Sequence, residues 1–138
     1  MDVALAGLVR RRAGDTCEYC RMPQRYYRTR HQIDHIVSQQ HGGPTSADNL
    51  ALACLHCNLH KGPNLSGIDP ITGSIVRLFN PRQDSWPDHF RWQRALIEGL
   101  TPQGRATIAV LAMNDPDLVE TREILLTEGG FPPVEPKH

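Results

Sequence analysis

Cys17-Glu-Tyr-Cys20 and, separated from it by 33 residues, Cys54-Leu-His-Cys57-Asn58-Leu-His-Lys61-Gly62 decide how this chain folds. Two C-x2-C pairs read as one four-thiolate site for Zn2+, because two intervening residues let both sulfurs of a pair turn toward a single tetrahedral ion. Two disulfides are the other pairing open to four cysteines. The paired spacing and the lack of an export pattern at the N-terminus favour metal in a reducing compartment, so a cytoplasmic protein is expected. A closed Cys17, Cys20, Cys54, Cys57 site leaves no coordination position for substrate, which makes the zinc structural.

Working outward, Val3, Leu5, Leu8, Val9 and Arg12 fall at helical spacing, and Gly14 ends the run, so residues 2–13 are expected to be a helix with a mainly apolar inward stripe. The β-prone run from Tyr26 to Val37 predicts one or two strands. Asp34 and His35 would point to opposite faces of a strand, so a break between them is expected. Gly42-Gly43-Pro44 and Thr45-Ser46 mark a loop. Leu50 to Ala53 suits a returning strand, and Cys54 to Lys61 a short helix stopped by Gly62-Pro63.

Beyond that, turn residues 69–73 precede a hairpin strand at 74–79, which Asn80-Pro81 breaks. Thr101-Pro102 and Asp115-Pro116 place capping residues before proline and predict helices near 102–113 and 116–126. Phe131 onward is expected to be extended or disordered. Trp86 and Trp92 read as core, with His89 packed among aromatics. His60 reads as a surface residue or phosphate contact.

At 138 residues the chain suits one ordinary domain. No apolar run approaches the roughly 18 residues that span a bilayer, so no membrane partner is expected. Formal net charge is zero, which argues against binding nucleic acid by bulk attraction alone, but the charge is polarised. Arg10, Arg11, Arg12, Arg21, Arg25, Arg28 and Arg30 crowd the N-terminal third, while the last third is mostly acidic.

Cys-x2-Cys, Asp34-His35, Gly42-Gly43, Asn49-Leu50, Cys-x2-Cys and then Asn58-x2-Lys61, in that order, resemble the HNH endonuclease family over about a third of the chain. The resemblance implies a ββα-metal (His-Me finger) core and a DNA substrate. It makes His35 the general base that activates water and Asp34 and Asn58 the ligands of a catalytic Mg2+ or Mn2+. Asn49 becomes the residue that orients the His35 ring or its loop. The chemistry agrees: imidazole titrates near neutrality, and hard oxygen ligands suit a magnesium-like ion. Lys61, Arg28 and Arg30 are expected to contact phosphates.

The fold class expected is α+β: a ββα-metal core with structural zinc, an N-terminal helix and a C-terminal helical extension. Residues 1–62 would be the nuclease core and 63–138 an extension of one hairpin and two helices, packed on it as part of one domain. A homodimer or a larger protein partner is left open. The rival function is a non-catalytic zinc-ribbon-like module that binds nucleic acid or protein, which would have no need for a base beside two oxygen ligands.

Overall fold

The structure, a computed structural model, describes residues 1–133. Helix α1 (Val3–Ala13) starts where the Asp2 carboxylate accepts the Ala4 N–H, and it stops at Gly14, whose φ of 61° suits glycine. Arg10, Arg11 and Arg12 lie in its last turn, at the negative end of the helix dipole. Its inward seam is narrower than the sequence suggests. Val9 and Ala13 are buried against Leu50 and Leu52, with Leu5 beside them, whereas Val3 and Leu8 are exposed because the strand below offers only two side chains.

Strands β1 (Gln32–His35) and β2 (Leu50–Ala53) pair antiparallel, with Asp34 opposite Ala51 and His35 opposite Leu50. The pleat sends Leu50 and Leu52 to α1, and Ala51 and Ala53 to the main core. Residues 26–31, expected to be strand, are not. Gln24–Tyr26 form a 3-10 turn, the Gln24 amide bonds the Thr29 carbonyl at 3.2 Å, and Arg10 takes the His31 carbonyl at 3.0 Å. Side chains therefore hold this backbone, and no neighbouring strand does. Helix α2 (Leu55–Lys61) follows β2 and completes the ββα unit.

The remainder is richer in strand than expected. Strands β3 (Ser66–Ile68) and β4 (Ile75–Arg77) form the anticipated hairpin. A short helix α3 (Trp86–His89) then leads into a second, unforeseen hairpin, β5 (Phe90–Gln93) and β6 (Leu96–Gly99). Its turn hides from sequence reading because Arg94 takes the left-handed conformation (φ 55°) that glycine or asparagine normally announces. Helices α4 (Pro102–Leu111) and α5 (Pro116–Glu128) begin as read, with Thr101 and Asp115 accepting the N–H groups of Gly104 and Asp117.

One buried cluster runs from the cysteines through Phe79, Trp86 and Phe90 to Leu111, Leu125 and Phe131. Phe131, expected to be extended or disordered, packs edge-on to Trp92 at 5.2 Å, and the rest of that expected stretch, beyond Pro133, lies outside the described residues. The Trp86 indole N–H donates to the Tyr19 carbonyl at 2.8 Å, fastening the extension to the first cysteine pair. Helix α5 is held by Arg122, fully buried, which bonds the carbonyls of Ala95 and Met113 and lies over Trp92.

Asp69 and Arg105 join β3 to α4 through a two-pronged ion pair, 2.9 Å at each prong. Arg105, with help from Thr72 and the Ile71 N–H, holds the Asp69 carboxyl well below its usual pKa. A depressed carboxylate pKa contributes stability above its unfolded value of about 3.9 and loses that contribution as pH falls through the folded value. Arg105→Met is therefore expected to lower the melting temperature at pH 7 and to flatten its fall below about pH 4. Melting curves of both proteins from pH 2 to 7 check this, and parallel curves would refute it.

Candidate active site and zinc centre

The four cysteine sulfurs all lie within 4.8 Å of one another, and Cys20 and Cys54 are 3.7 Å apart. A tetrahedral zinc with sulfurs about 2.3 Å away has edges of about 3.8 Å, whereas a disulfide needs about 2.05 Å. The four side chains are buried thiols, so the geometry fits zinc and the disulfide alternative falls. In each knuckle the second cysteine's N–H points at the first sulfur: Cys20 to Cys17 at 3.5 Å, Cys57 to Cys54 at 3.4 Å. Charge crowding points the same way. Burial opposes ionisation of Cys17, but hydrogen bonds from Cys20, Cys54 and Cys57 outweigh it and bring its pKa well down. Those same bonds push Cys54 and Cys57 up, so four thiolates need a cation between them.

The residues between the first two ligands reach away from the metal. The Glu18 carboxylate accepts the Leu52 N–H at 2.8 Å, on the edge of β2 that β1 leaves unpaired. The Tyr19 hydroxyl, buried, donates to Asp34 Oδ2 at 3.1 Å. Neither contact was foreseen, because residues inside a C-x2-C turn are usually spacers.

Asp34 and His35 do diverge. The expected break between them is absent, since the β ladder runs through both. Asp34 turns inward and is 7 % exposed, and burial raises its pKa against the pull of Lys61, Tyr19 and His35. His35 is half-buried at the strand end, its Nε2 2.9 Å from the Thr45 hydroxyl. Thr45, ten residues away in the loop, carried no signal in the sequence beyond its place near Gly42-Gly43.

Asn49 spends its amide on the loop and makes no bond to the His35 ring. Its Oδ1 accepts the Val37 N–H at 2.9 Å, and its Nδ2 donates to the carbonyls of Val37 (2.9 Å) and Pro44 (2.8 Å). Gly43 sits inside this staple, where an added Cβ would lie 1.7 Å from the Val37 carbonyl oxygen and 2.8 Å from Asn49 Nδ2. Gly43→Ala is thus expected to push the loop off Asn49 at a cost of about 1–3 kcal/mol. Amide exchange at Val37 would accelerate while zinc content stayed unchanged; protection equal to the unmutated chain would refute it.

Asn58 is half-buried on α2, and its carboxamide has no hydrogen-bond partner among the described residues. It lies one turn before Lys61, hence on the same helix face. Lys61, expected to contact phosphate, is turned inward. It is 2 % exposed, and its ammonium lies 3.2 Å from Asp34 Oδ2, 3.2 Å from the His35 carbonyl and 3.1 Å from the Ile36 carbonyl. Arg28 and Arg30 are exposed on the segment leading into β1. Burial and the nearby Arg30 both lower the Arg10 pKa, a mark of how closely the cations gather there.

Four other histidines serve the fold. His31 is buried with Nε2 on the Met22 carbonyl, His56 bonds the Ala112 carbonyl, and His60 bonds the His56 carbonyl on the helix surface. His89 bonds the Thr101 hydroxyl at 2.7 Å, beside Phe79 and Phe90.

No helix among the described residues is long and apolar enough to cross a membrane. No curated protein and no solved structure matches the chain. Residues 17–64 match the family model described as HNH endonuclease. That span contains the cysteine cluster, Asp34 and His35 on one strand, the Asn49-stapled loop and Asn58 on the following helix, and it is this third of the chain, residues 17–64, that is similar to the HNH endonuclease family.

Proposed function

We propose that the protein is a metal-dependent endonuclease that hydrolyses DNA phosphodiester bonds, leaving 5′-phosphate and 3′-hydroxyl ends. The observation that carries this reading is the half-buried His35 ring anchored by Thr45 on a strand end, with the unspent oxygen of Asp34 on the preceding residue. Both recorded contacts of the Asp34 carboxylate fall on Oδ2, which leaves Oδ1 without a protein partner among the described residues. With the unbonded carboxamide of Asn58, this makes a set of hard oxygen donors.

Held by these two side chains, Mg2+ or Mn2+ would supply positive charge to the phosphate and to the departing 3′ oxygen. The chain's own part is to move a proton and hold positions. In the tautomer where Nε2–H donates to Thr45, His35 Nδ1 keeps its lone pair and takes a proton from water. The water oxygen bonds to phosphorus as the bond to the 3′ oxygen breaks. Asn49 holds the loop carrying Thr45, and so acts on the ring at one remove. Arg28 and Arg30 bind flanking phosphates with little sequence preference. Residues 63–133 brace this centre as part of the same domain, and reduced thiols suit the cytoplasm.

Nicking of supercoiled plasmid with Mg2+ or Mn2+ tests the proposal. Binding should weaken steeply with salt. No nicking with any divalent ion, with DNA binding intact, would leave a zinc-bearing binding module.

A further inference from the structure

We propose that Lys61 and Tyr19 clamp one oxygen of Asp34, so that Lys61 is a positioning residue of the nuclease centre and never a contact for substrate. The inference rests on the nuclease reading given above.

An ammonium group has three protons and no acceptor. Those of Lys61 meet three acceptors, Asp34 Oδ2 at 3.2 Å, the His35 carbonyl at 3.2 Å and the Ile36 carbonyl at 3.1 Å. The acceptors belong to consecutive residues, so one side chain from α2 grips the end of β1 on both sides of His35. The side chain is 2 % exposed, and with its donors spent inside it has none for a phosphate.

Tyr19 approaches the same oxygen, its hydroxyl 3.1 Å from Asp34 Oδ2. A planar carboxylate held at Oδ2 by two donors cannot spin about its last bond, so the direction of Oδ1 is set. That is the oxygen left for a cation. A metal ligand is commonly oriented by such outer partners.

Both arms hang from the zinc centre. Tyr19 lies between Cys17 and Cys20, and Lys61 closes the helix that Cys54 caps and Cys57 enters. The structural cluster thereby sets the separation between the two donors that grip Asp34. A guanidinium could not stand in for Lys61, because its flat fork does not match three acceptors converging on a point in a closed slot.

The test uses the full chain, with Mg2+ as probe in NMR and Mn2+ as probe of metal binding. Nitrogen-detected NMR of the unmutated protein should show a slowly exchanging Lys61 ammonium before and after Mg2+ is added. Exchange as fast as that of surface lysines would overturn the clamp, whether or not the protein cuts DNA. Tyr19→Phe removes one donor with little change of volume, and Lys61→Arg keeps the charge. Each is expected to weaken Mn2+ binding, read by electron paramagnetic resonance, by about 10–100-fold at unchanged zinc content. The slope of log DNA affinity against log salt should stay as in the unmutated chain. Unchanged Mn2+ binding with only a lower melting temperature would reduce the pair to a structural role. A salt slope smaller by about 1 in Lys61→Met, restored in Lys61→Arg, would make Lys61 a phosphate contact and overturn the proposal. A chain that binds Mn2+ but never nicks DNA counts against the nuclease reading alone.

Discussion

Cys54→Ser is expected to empty the zinc centre and unfold much of the chain. Serine caps helices well, so the substitution keeps a side-chain acceptor for the Cys57 N–H and isolates the loss of the metal ligand. Structural zinc contributes about 10–16 kcal/mol to the folding of small zinc modules. Against a typical domain stability of about 5–15 kcal/mol, losing even half of it removes the margin. The effect should reach beyond residues 17–57, because the cysteines share one buried cluster with Phe79, Trp86, Leu111 and Leu125. Zinc per chain by atomic emission and the circular-dichroism melt check it, and a strong chelator should reproduce it in the unmutated protein. Zinc content and melting temperature both equal to those of the unmutated protein would refute it.

His35→Ala is expected to separate function from fold. A general base is worth about 10²–10⁴ in rate, so nicking of supercoiled DNA should fall by that factor. Stability should hardly move. The ring is half-buried and its one recorded hydrogen bond, to Thr45, joins two side chains at the surface, so the melt should shift by no more than about 0.5 kcal/mol. Zinc content and DNA affinity should match the unmutated chain. Thr45→Val should produce a smaller loss, since it frees the ring without removing it. Cutting by His35→Ala at the unmutated rate would take the base away from His35 and return the chain to the zinc-module reading.

The parts legible in the sequence are those whose signal is local. Two C-x2-C pairs bring sulfurs together whatever surrounds them, and Thr101 and Asp115 before proline start helices by their own hydrogen bonds. The β1–β2 pairing followed from Leu50 to Ala53 and the turn residues before it. What escaped depended on partners distant in sequence. Lysine is surface-bound by default, and nothing near Lys61 announces that the acceptors of residues 34–36 will enclose it. The run 26–31 looks like strand, yet a strand needs a neighbour, and Arg10 and the Gln24 side chain reach it first. The β5–β6 hairpin turned at an arginine. In the site itself, residue types pointed to Asp34, His35, Asn49 and Asn58 by resemblance, but who holds the first three of them (Tyr19, Thr45, the loop carbonyls) is a matter of three-dimensional neighbours.

The spacing of the zinc ligands also has a consequence in time. Cys20, the later of the first pair, leaves the synthetic machinery 34 residues ahead of Cys54. At about 5–20 residues per second, the first pair waits roughly 2–7 s for the second. During that interval two thiols stand open to oxidants and to any soft metal that binds a pair. Among the cysteines, the late arrivals, Cys54 and Cys57, therefore decide when the segment bearing His35 acquires its shape.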